Sequence, residues 1–211
     1  MASTKISVGE LVDPQTTAVV CIECQNGVIG QDAILPALAN DAQGLVAGIG
    51  RLLTAARDAG VLVVQATFEG TLGATDHGTA PLSRATRRHS RDWGPGHRAT
   101  QVVSELSDPR DLVLPRHHGY NPAWGTELLP VLRGREIRTV VLAGVSLNVA
   151  LPLTAGEAMH GGFRVVVPRD AVAGTPAEYG EQVLRHTIAM LATVVTVEDL
   201  VSAWAKTAVR A

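Results

Sequence analysis

Short apolar runs alternate with longer amphipathic segments along most of the chain. The run at 17–22 is apolar and partly β-branched, and the chain turns polar from Glu23 to Gly27. A continuous apolar run of this length that ends near Asn-Gly is typical of a central strand covered on both faces. The segment 35–59 instead places apolar residues at helical spacing and stops before Gly60. The pattern therefore begins with a buried strand followed by a helix.

The same alternation continues to the end of the chain. Further strands are predicted at 61–67, 111–115, 138–145, 163–168 and 192–197, and further helices at 100–106, 128–132, 148–161, 178–191 and 199–207. Strands that alternate with helices imply a parallel sheet between two helical layers. The expected fold is therefore an α/β three-layer sandwich with a six-stranded, mainly parallel sheet, in a single domain over residues 1–211.

Composition narrows the classes of partner. The chain of 211 residues is 46% hydrophobic and has a formal net charge of -2, which argues against nucleic acid as a ligand. No signal-type segment or bilayer-length apolar stretch is present, so we expect a cytoplasmic protein without membrane contact. The basic cluster from Arg84 to Arg91 is interpreted as a solvated face. The polar stretch around it, 70–91, is long enough to be a lid or a mobile loop.

Cysteine and histidine patterns do not favour a metal site. Cys21 and Cys24 are three residues apart, and in an extended strand this spacing directs their side chains to opposite faces and disfavours a disulfide. Two thiols alone are too few for a structural zinc ion. His117 and His118 are adjacent, so strand geometry would separate them too. We expect no metal and no cofactor.

Polar residues follow the predicted strands at their carboxyl ends, where open parallel sheets bind their ligands. Glu23 stands out because an ionisable group at the mouth of a buried strand is costly unless it is paired or used in chemistry. The other polar residues near these ends are Gln25, Gln65, Thr67, Arg116, His117, His118, Ser146 and Asn148. An acid, a fixed cation and a helix beginning after Ser146 together predict a site for a small molecule that carries an anionic group.

Several of these segments resemble the isochorismatase-like hydrolases, a superfamily that includes nicotinamidases and N-carbamoyl amidases. The matching pieces are Val20-Cys21-Ile22-Glu23-Cys24-Gln25-Asn26, Asp92-Trp93-Gly94-Pro95-Gly96 and the segments 140–149, 163–171 and 185–186. They occur in consistent order over residues 16–201. The resemblance implies a Rossmann-like hydrolase fold, a small-molecule substrate and assembly into a homodimer or homotetramer. It also implies that Trp93 lines the pocket.

The positions that match the catalytic residues of the family differ from its usual pattern. Glu23 stands where the family usually has Asp, Arg116 or His117 where it has Lys, and Ala150 where it has the nucleophilic Cys. A methyl group cannot attack a carbonyl carbon, so covalent amidase chemistry at position 150 is excluded. The metal-binding histidines of the nicotinamidase branch also have no counterpart in Thr67-Phe68-Glu69-Gly70.

The resemblance leaves three interpretations open. Isochorismatases that lack the Cys hydrolyse a vinyl ether with the acidic residue as proton donor, and Glu23 would then be the acid while Arg116 holds a substrate carboxylate. In that site Gln25, Gln65, Ser146 and Asn148 would contact the substrate. A second interpretation is a catalytically degenerate domain that binds a metabolite or acts as a scaffold. A third is an amidase that uses Cys24.

Overall fold

A seven-stranded sheet forms the centre of the molecule. The structure is a computed structural model that describes residues 7–72 and 78–208. The strands are β1 (Thr17–Ile22), β2 (Leu62–Phe68), β3 (Leu112–Arg116), β4 (Thr139–Val145), β5 (Arg164–Pro168), β6 (Val172–Ala173) and β7 (Thr193–Val195). All of their pairings are parallel. The predicted parallel α/β sandwich is therefore confirmed, and the short β6 is an addition to the six predicted strands.

Helices connect the strands and cover both faces of the sheet. The α-helices are α1 (Val8–Leu11), α2 (Pro36–Asp41), α3 (Leu45–Asp58), α4 (Pro81–Arg87), α5 (Leu128–Gly134), α6 (Ala150–His160), α7 (Ala177–Val183), α8 (Ala189–Leu191) and α9 (Val197–Ala208). A π-helical turn, Leu184–Ile188, joins α7 to α8, and 3-10 turns lie at Pro14–Thr16 and Arg98–Thr100. Among the described residues, no helix combines the length and the apolar character needed to cross a membrane.

The order of the strands locates the place where a ligand can bind. The sheet runs β3-β2-β1-β4-β5-β7, and β6 pairs with β4. The chain builds the sheet in one direction from β1 and in the other from β4, so the strand order reverses between these two strands. At such a reversal the loops beyond the carboxyl ends diverge and leave a crevice. Residues that follow β1 and β4 are therefore placed at its edge.

Alternation along the strands divides the core into two layers. Val19 and Cys21 of β1 belong to the apolar cluster that contains α3 and α9, whereas Val20 and Ile22 belong to the cluster that contains α5 and α6. Every residue of β1 is buried, because helices cover the sheet on both sides. This burial explains why the sequence of β1 is an unbroken apolar run.

Three predicted segments differ from the structure. The predicted helix 35–59 is two helices, because Gly44 lies between them with φ of 84°. The segment 100–106 is not an α-helix, since Val102 bridges Gln25, the Val103 N–H donates to the Cys24 carbonyl and residues 104–106 form a turn. Within 70–91, residues 81–87 form α4, and residues 73–77 lie outside the described part.

The predicted separation of the two cysteines is wrong. The strand ends at Ile22, and Glu23 has φ of 53°, so the strand alternation does not extend to Cys24. Both thiols are free and buried in the same apolar cluster. A hydrogen bond with Cys24, together with burial, raises the pKa of the Cys21 thiol well above its ordinary value.

Candidate active site

Glu23 sits at the carboxyl end of β1 in a backbone conformation that is uncommon for residues other than glycine. Its φ of 53° lies in the left-handed region, and its N–H donates to the Ala66 carbonyl at 3.0 Å. Such a conformation costs about 1–2 kcal/mol and persists where the surrounding structure holds it, often at a functional site. The turn at Glu23 directs the chain out of the sheet at the crevice between β1 and β4.

Gly144 in β4 makes this turn possible. It is paired with Ile22, has φ of 100°, and a side chain there would collide with the Ile22 carbonyl and approach the Cys24 sulfur to 3.0 Å. The left-handed Glu23 and the glycine beside it thus form one local arrangement. The backbone of β4 can approach β1 closely only because position 144 has no Cβ.

Arg116, the last residue of β3, is the partner of Glu23. Its Nη2 donates to Glu23 Oε1, its Nε donates to the Gly119 carbonyl at 3.2 Å, and its guanidinium lies 5.2 Å from the centroid of the Phe68 ring. The Arg116 side chain is 2% exposed and the Glu23 side chain 15% exposed. Arg116 Nη1, in contrast, is buried and has no hydrogen-bond partner in the described part of the protein. A buried guanidinium N–H without an acceptor can bind an anionic or carbonyl oxygen of a ligand.

A cavity of about 80 Å³ lies against this pair. Glu23 and Arg116 form its charged wall, and Ser146 and Ala150 border it from the start of α6. Its remaining walls are mostly apolar or aromatic and consist of Val28, Ile34, Leu35, Leu38, Phe68, Leu82, Thr86, Ser90, Trp93, Tyr120 and Val149. A charged pair within an apolar chamber is a common arrangement of small-molecule sites.

Trp93 shapes the cavity from the side of the predicted 92–96 motif. It is 8% exposed, and its ring packs against Phe68 with the centroids 6.0 Å apart. A Cβ at Gly27 would collide with the Trp93 ring, so this glycine lets the indole lie directly against the chain after β1. The structure therefore brings together Glu23, Arg116, Trp93, Ser146 and Ala150 among the predicted site residues.

The structure places the other three predicted contact residues elsewhere. Gln25 donates to the carbonyls of Phe68 and Thr100 and accepts from the Phe68 N–H, so its amide joins three segments of the chain. The Asn148 amide forms a pair of hydrogen bonds with the Thr175 backbone. Both side chains position the walls of the site and do not line the cavity.

Gln65 belongs to a separate buried cluster. Its Nε2 donates to Asp111 at 2.8 Å, and Arg57 binds the same carboxylate through two hydrogen bonds of 2.7 and 3.0 Å. This cluster connects α3, β2 and the start of β3 below the ends of the strands. Gln65 lies near the end of β2, as the sequence indicates, but its side chain points to the α3 layer.

The other candidate chemistries have little support in the geometry. Cys24 is 1% exposed, is outside the cavity lining, and its sulfur lies 3.8 Å from the Ile22 carbonyl. His117 contacts the Gly70 carbonyl, and Arg116 is the residue that reaches Glu23. Among the described residues, no group of three or more His, Cys, Asp or Glu side chains could hold a metal ion. His77 lies outside the described residues.

Phe68 and Tyr120 are two wall residues that the sequence did not predict. Phe68 ends β2 and bears both the Trp93 contact and the Arg116 contact. Tyr120 follows β3, and its hydroxyl lies 3.2 Å from the Thr86 hydroxyl. Phe68 could have been identified as the aromatic residue that closes the second strand, whereas the position of Tyr120 depends on the path of a loop.

Comparisons with known proteins show what the chain is similar to. Residues 17–199 match the model of the isochorismatase domain. A curated protein from Escherichia coli O157:H7, the uncharacterized isochorismatase family protein YecD, is 36% identical over 80 residues. That match covers 38% of this chain and 43% of the relative, so the similarity spans less than half the length of either.

Two solved structures extend the similarity to nearly the whole chain. A cysteine hydrolase from Pseudomonas syringae pv. phaseolicola 1448A superposes with a TM-score of 0.81 at 20% identity, over 97% of this chain and 99% of the other, which shows the shared fold. N-carbamoylsarcosine amidase from Thermoplasma acidophilum has a TM-score of 0.69 at 26% identity, over 86% of this chain and 96% of the other.

Proposed function

Because the chain belongs to the isochorismatase family of hydrolases, we propose that it hydrolyses a small, carboxylate-bearing metabolite through acid catalysis by Glu23, without a nucleophilic side chain. The observation that carries this proposal is the buried, unpartnered Nη1 of Arg116 next to Glu23 at the cavity wall. One donor of the guanidinium binds the catalytic carboxyl group, and a second remains for the substrate.

Arg116 is suited to hold a substrate carboxylate in this position. Its guanidinium is fixed by Glu23, by the Gly119 carbonyl and by the Phe68 ring, so few of its rotamers remain to be ordered when a ligand binds. A charge-assisted hydrogen bond from Nη1 is about twice as strong as one between neutral groups. The low local dielectric of a mostly apolar chamber strengthens this contact further.

Binding of an anionic substrate also changes the role of Glu23. In the free site the carboxylate is the counterion of Arg116. A substrate carboxylate on the same guanidinium takes over part of this role, so Glu23 is no longer the sole carboxylate partner of Arg116. In the proposed reaction Glu23 carries the proton that general acid catalysis transfers to the substrate.

A vinyl ether is the substrate class that fits a lone acid. The Glu23 proton is transferred to the terminal alkene carbon, a C–H bond forms, and the ether oxygen stabilises the resulting oxocarbenium ion. Water adds to the cationic carbon and returns a proton to the Glu23 carboxylate. The hemiketal then breaks its bond to the leaving oxygen and yields a carbonyl compound and an alcohol. No side chain forms a covalent intermediate, so Ala150 is compatible with every step.

The amidase alternative lacks a cysteine among the described residues that line the cavity. Ala150 occupies the wall position at the start of α6, and Cys24 is buried behind the strand end with its thiol against backbone and Cys21. At 1% exposure, the Cys24 thiol is also inaccessible to a substrate in the cavity.

Replacement of Glu23 by Gln tests the proposal. The amide keeps the shape and can still accept a hydrogen bond from Arg116, but it cannot donate the proton. With isochorismate as the vinyl-ether probe, we expect Glu23→Gln to lower the rate of carbonyl product formation by about 10²–10⁴-fold, the range of general acid catalysis. Glu69→Gln is the matched control, because Glu69 follows β2 but lies outside the cavity lining.

The outcome that contradicts acid catalysis is equal turnover by wild type and Glu23→Gln. Binding of isochorismate without turnover by the wild type would instead support a metabolite-binding domain and overturn the hydrolase. Cleavage of N-carbamoylsarcosine that is abolished by thiol alkylation would overturn the exclusion of an amidase. Circular dichroism of both variants shows whether the fold is retained.

A further inference from the structure

A larger pocket of about 320 Å³ opens directly outside the reaction cavity. The two share four lining residues, Phe68, Thr86, Ser90 and Tyr120, so they form consecutive compartments. The outer compartment is bordered by α4 and the residues that follow it, and on the opposite side by Gly119 and Tyr120 after β3.

The charged side chains in the described lining of the outer pocket are all cationic. Arg84, Arg87 and Arg91 line it at spacings of three and four residues, and no Asp or Glu is among its described lining residues. Arg84 is held in place by a hydrogen bond of 2.6 Å from its Nη1 to the Thr79 carbonyl. The like charges of Arg84 and Arg91 at this pocket favour a bound anion.

Hydroxyl groups complete the polar lining. Ser83, Thr86, Ser90 and Tyr120 all border the outer pocket, and the Tyr120 hydroxyl lies 3.2 Å from Thr86 and 3.4 Å from Ser83. Guanidinium and hydroxyl groups are the side chains that proteins use to bind carboxylate and phosphate oxygens. The chemistry of the lining therefore favours an anion over a neutral or cationic ligand.

The volumes indicate that a substrate occupies both compartments. Small-molecule pockets have volumes of roughly 300–1,000 Å³. The inner cavity of about 80 Å³ is well below this range, whereas the outer pocket of about 320 Å³ lies within it. A metabolite whose reacting bond lies beside Glu23 must extend past Thr86 and Tyr120 toward the arginines.

We propose that Arg84 and Arg91 form an anion subsite that binds a second acidic group, carboxylate or phosphate, at the distal end of the substrate. That the ligand is the substrate rests on the proposed function, but the anion subsite itself is a binding property that can be measured without turnover. The ligand class is thus an elongated metabolite with one anionic group on Arg116 and another in the outer pocket. The two arginines select this class by charge and take no part in the chemical step.

Binding of simple acids tests the subsite without any turnover. Isothermal titration calorimetry compares linear dicarboxylates from succinate to suberate with the monocarboxylates of the same chain length. At the length that spans both compartments, we expect the dicarboxylate to bind wild type about tenfold more tightly than its monocarboxylate. The double variant Arg84→Gln/Arg91→Gln should bind the two equally. Arg88→Gln is the control, because it removes a charge from the same segment outside the pocket lining.

Competition with inorganic phosphate identifies the group that the subsite prefers. Displacement of the dicarboxylate by phosphate supports a phosphate-bearing substrate, and retention of the dicarboxylate supports a second carboxylate. A dicarboxylate preference that survives in the double variant, or that Arg88→Gln removes equally, overturns the proposal, and so does its absence from the wild type at every length. Calorimetry measures binding and not turnover. The anion subsite can therefore be confirmed even if the Glu23 experiment contradicts acid catalysis, and acid catalysis can be confirmed even if the subsite is contradicted.

Discussion

Glu23 and Arg116 each make the burial of the other possible. Removal of one member of a buried ion pair leaves an uncompensated charge and costs about 3–5 kcal/mol, whereas an uncharged group of the same shape can keep one hydrogen bond. The Arg116 side chain, at 2% exposure, has little access to water as a replacement partner. Substitution of Glu23 by Ala would thus combine lost chemistry with lost stability. The Gln variant separates the two effects.

The Cys21 thiol predicts a pH dependence of stability. Its hydrogen bond with Cys24 and its burial raise its pKa in the folded state, while the unfolded chain keeps the ordinary thiol value. Above that ordinary value the unfolded state has released a proton that the folded state retains. The free energy of unfolding should therefore fall as the pH rises, by up to about 1.4 kcal/mol per pH unit, until the folded pKa is reached.

Urea titrations between about pH 7 and 10 measure this slope, since the unfolded thiol titrates in that range. Cys21→Ala removes the group, and its stability should decline less steeply with pH than that of the wild type. Parallel curves for the two proteins would contradict the raised pKa. The same titrations on Cys24→Ala show how much of the effect depends on the neighbouring thiol.

Among the elements, the contact between β1 and β4 governs the site. Glu23 follows one strand and Ser146 the other, and the sheet order reverses between them. Because Gly144 has no Cβ, the β4 backbone can lie against Ile22 and Cys24, the two residues that flank Glu23. The position of the candidate acid therefore depends on a residue that has no side chain.

Two glycine substitutions should have opposite effects on stability. Gly144→Ala introduces a Cβ against the Ile22 carbonyl at a φ of 100°, so we expect it to lower the free energy of unfolding by about 3 kcal/mol or more. Gly156→Ala in α6 meets nothing within 4 Å and should raise it by about 0.5–1 kcal/mol. Chemical denaturation compares them, and similar effects of both variants would contradict the close approach of the strands.

The strands and helices could be predicted from the spacing of apolar residues, because a strand that is buried on both faces is a continuous apolar run. β1 and β4 are fully buried and read as apolar runs, and the carboxyl ends of these strands located Glu23 and Ser146. The direction in which a side chain points was harder to predict than the position of its residue along the chain. Gln25, Gln65 and Asn148 lie near the strand ends, but partners distant in sequence, such as Asp111 and Thr175, determine where their amides point. The contact between the two thiols likewise depends on the φ of Glu23, which no pattern of residue types specifies.

For the molecule as a whole, α9 joins the beginning of the described chain to its end. It packs on α1 and α3, and the Trp204 indole, 2% exposed, donates a hydrogen bond of 2.8 Å to the Val12 carbonyl. The two apolar layers lie on opposite faces of one sheet, so unfolding of one exposes the other. The dimer or tetramer that the resemblance implies stays a prediction.

This arrangement predicts that residues 1–211 unfold as one domain. Trp204→Ala should lower the stability by about 3–5 kcal/mol through lost burial and the lost hydrogen bond, while the protein still unfolds in a single transition. Trp204→Phe, which keeps most of the ring volume, should lose less. Far-ultraviolet circular dichroism and tryptophan fluorescence should give the same midpoint. Two separate transitions would contradict a single domain.

The three tryptophans occupy three different environments. Trp204 is enclosed, Trp124 is 62% exposed, and Trp93 forms part of the reaction chamber against Phe68. The three indoles should therefore differ in the wavelength of their maximum fluorescence emission, and the solvent-facing Trp124 should emit at the longest wavelength. A molecule entering the chamber would alter the signal of one indole and leave the other two as internal references. The chain thus contains its own optical reporter of occupancy, and ligands can be sought by titration before any reaction has been observed.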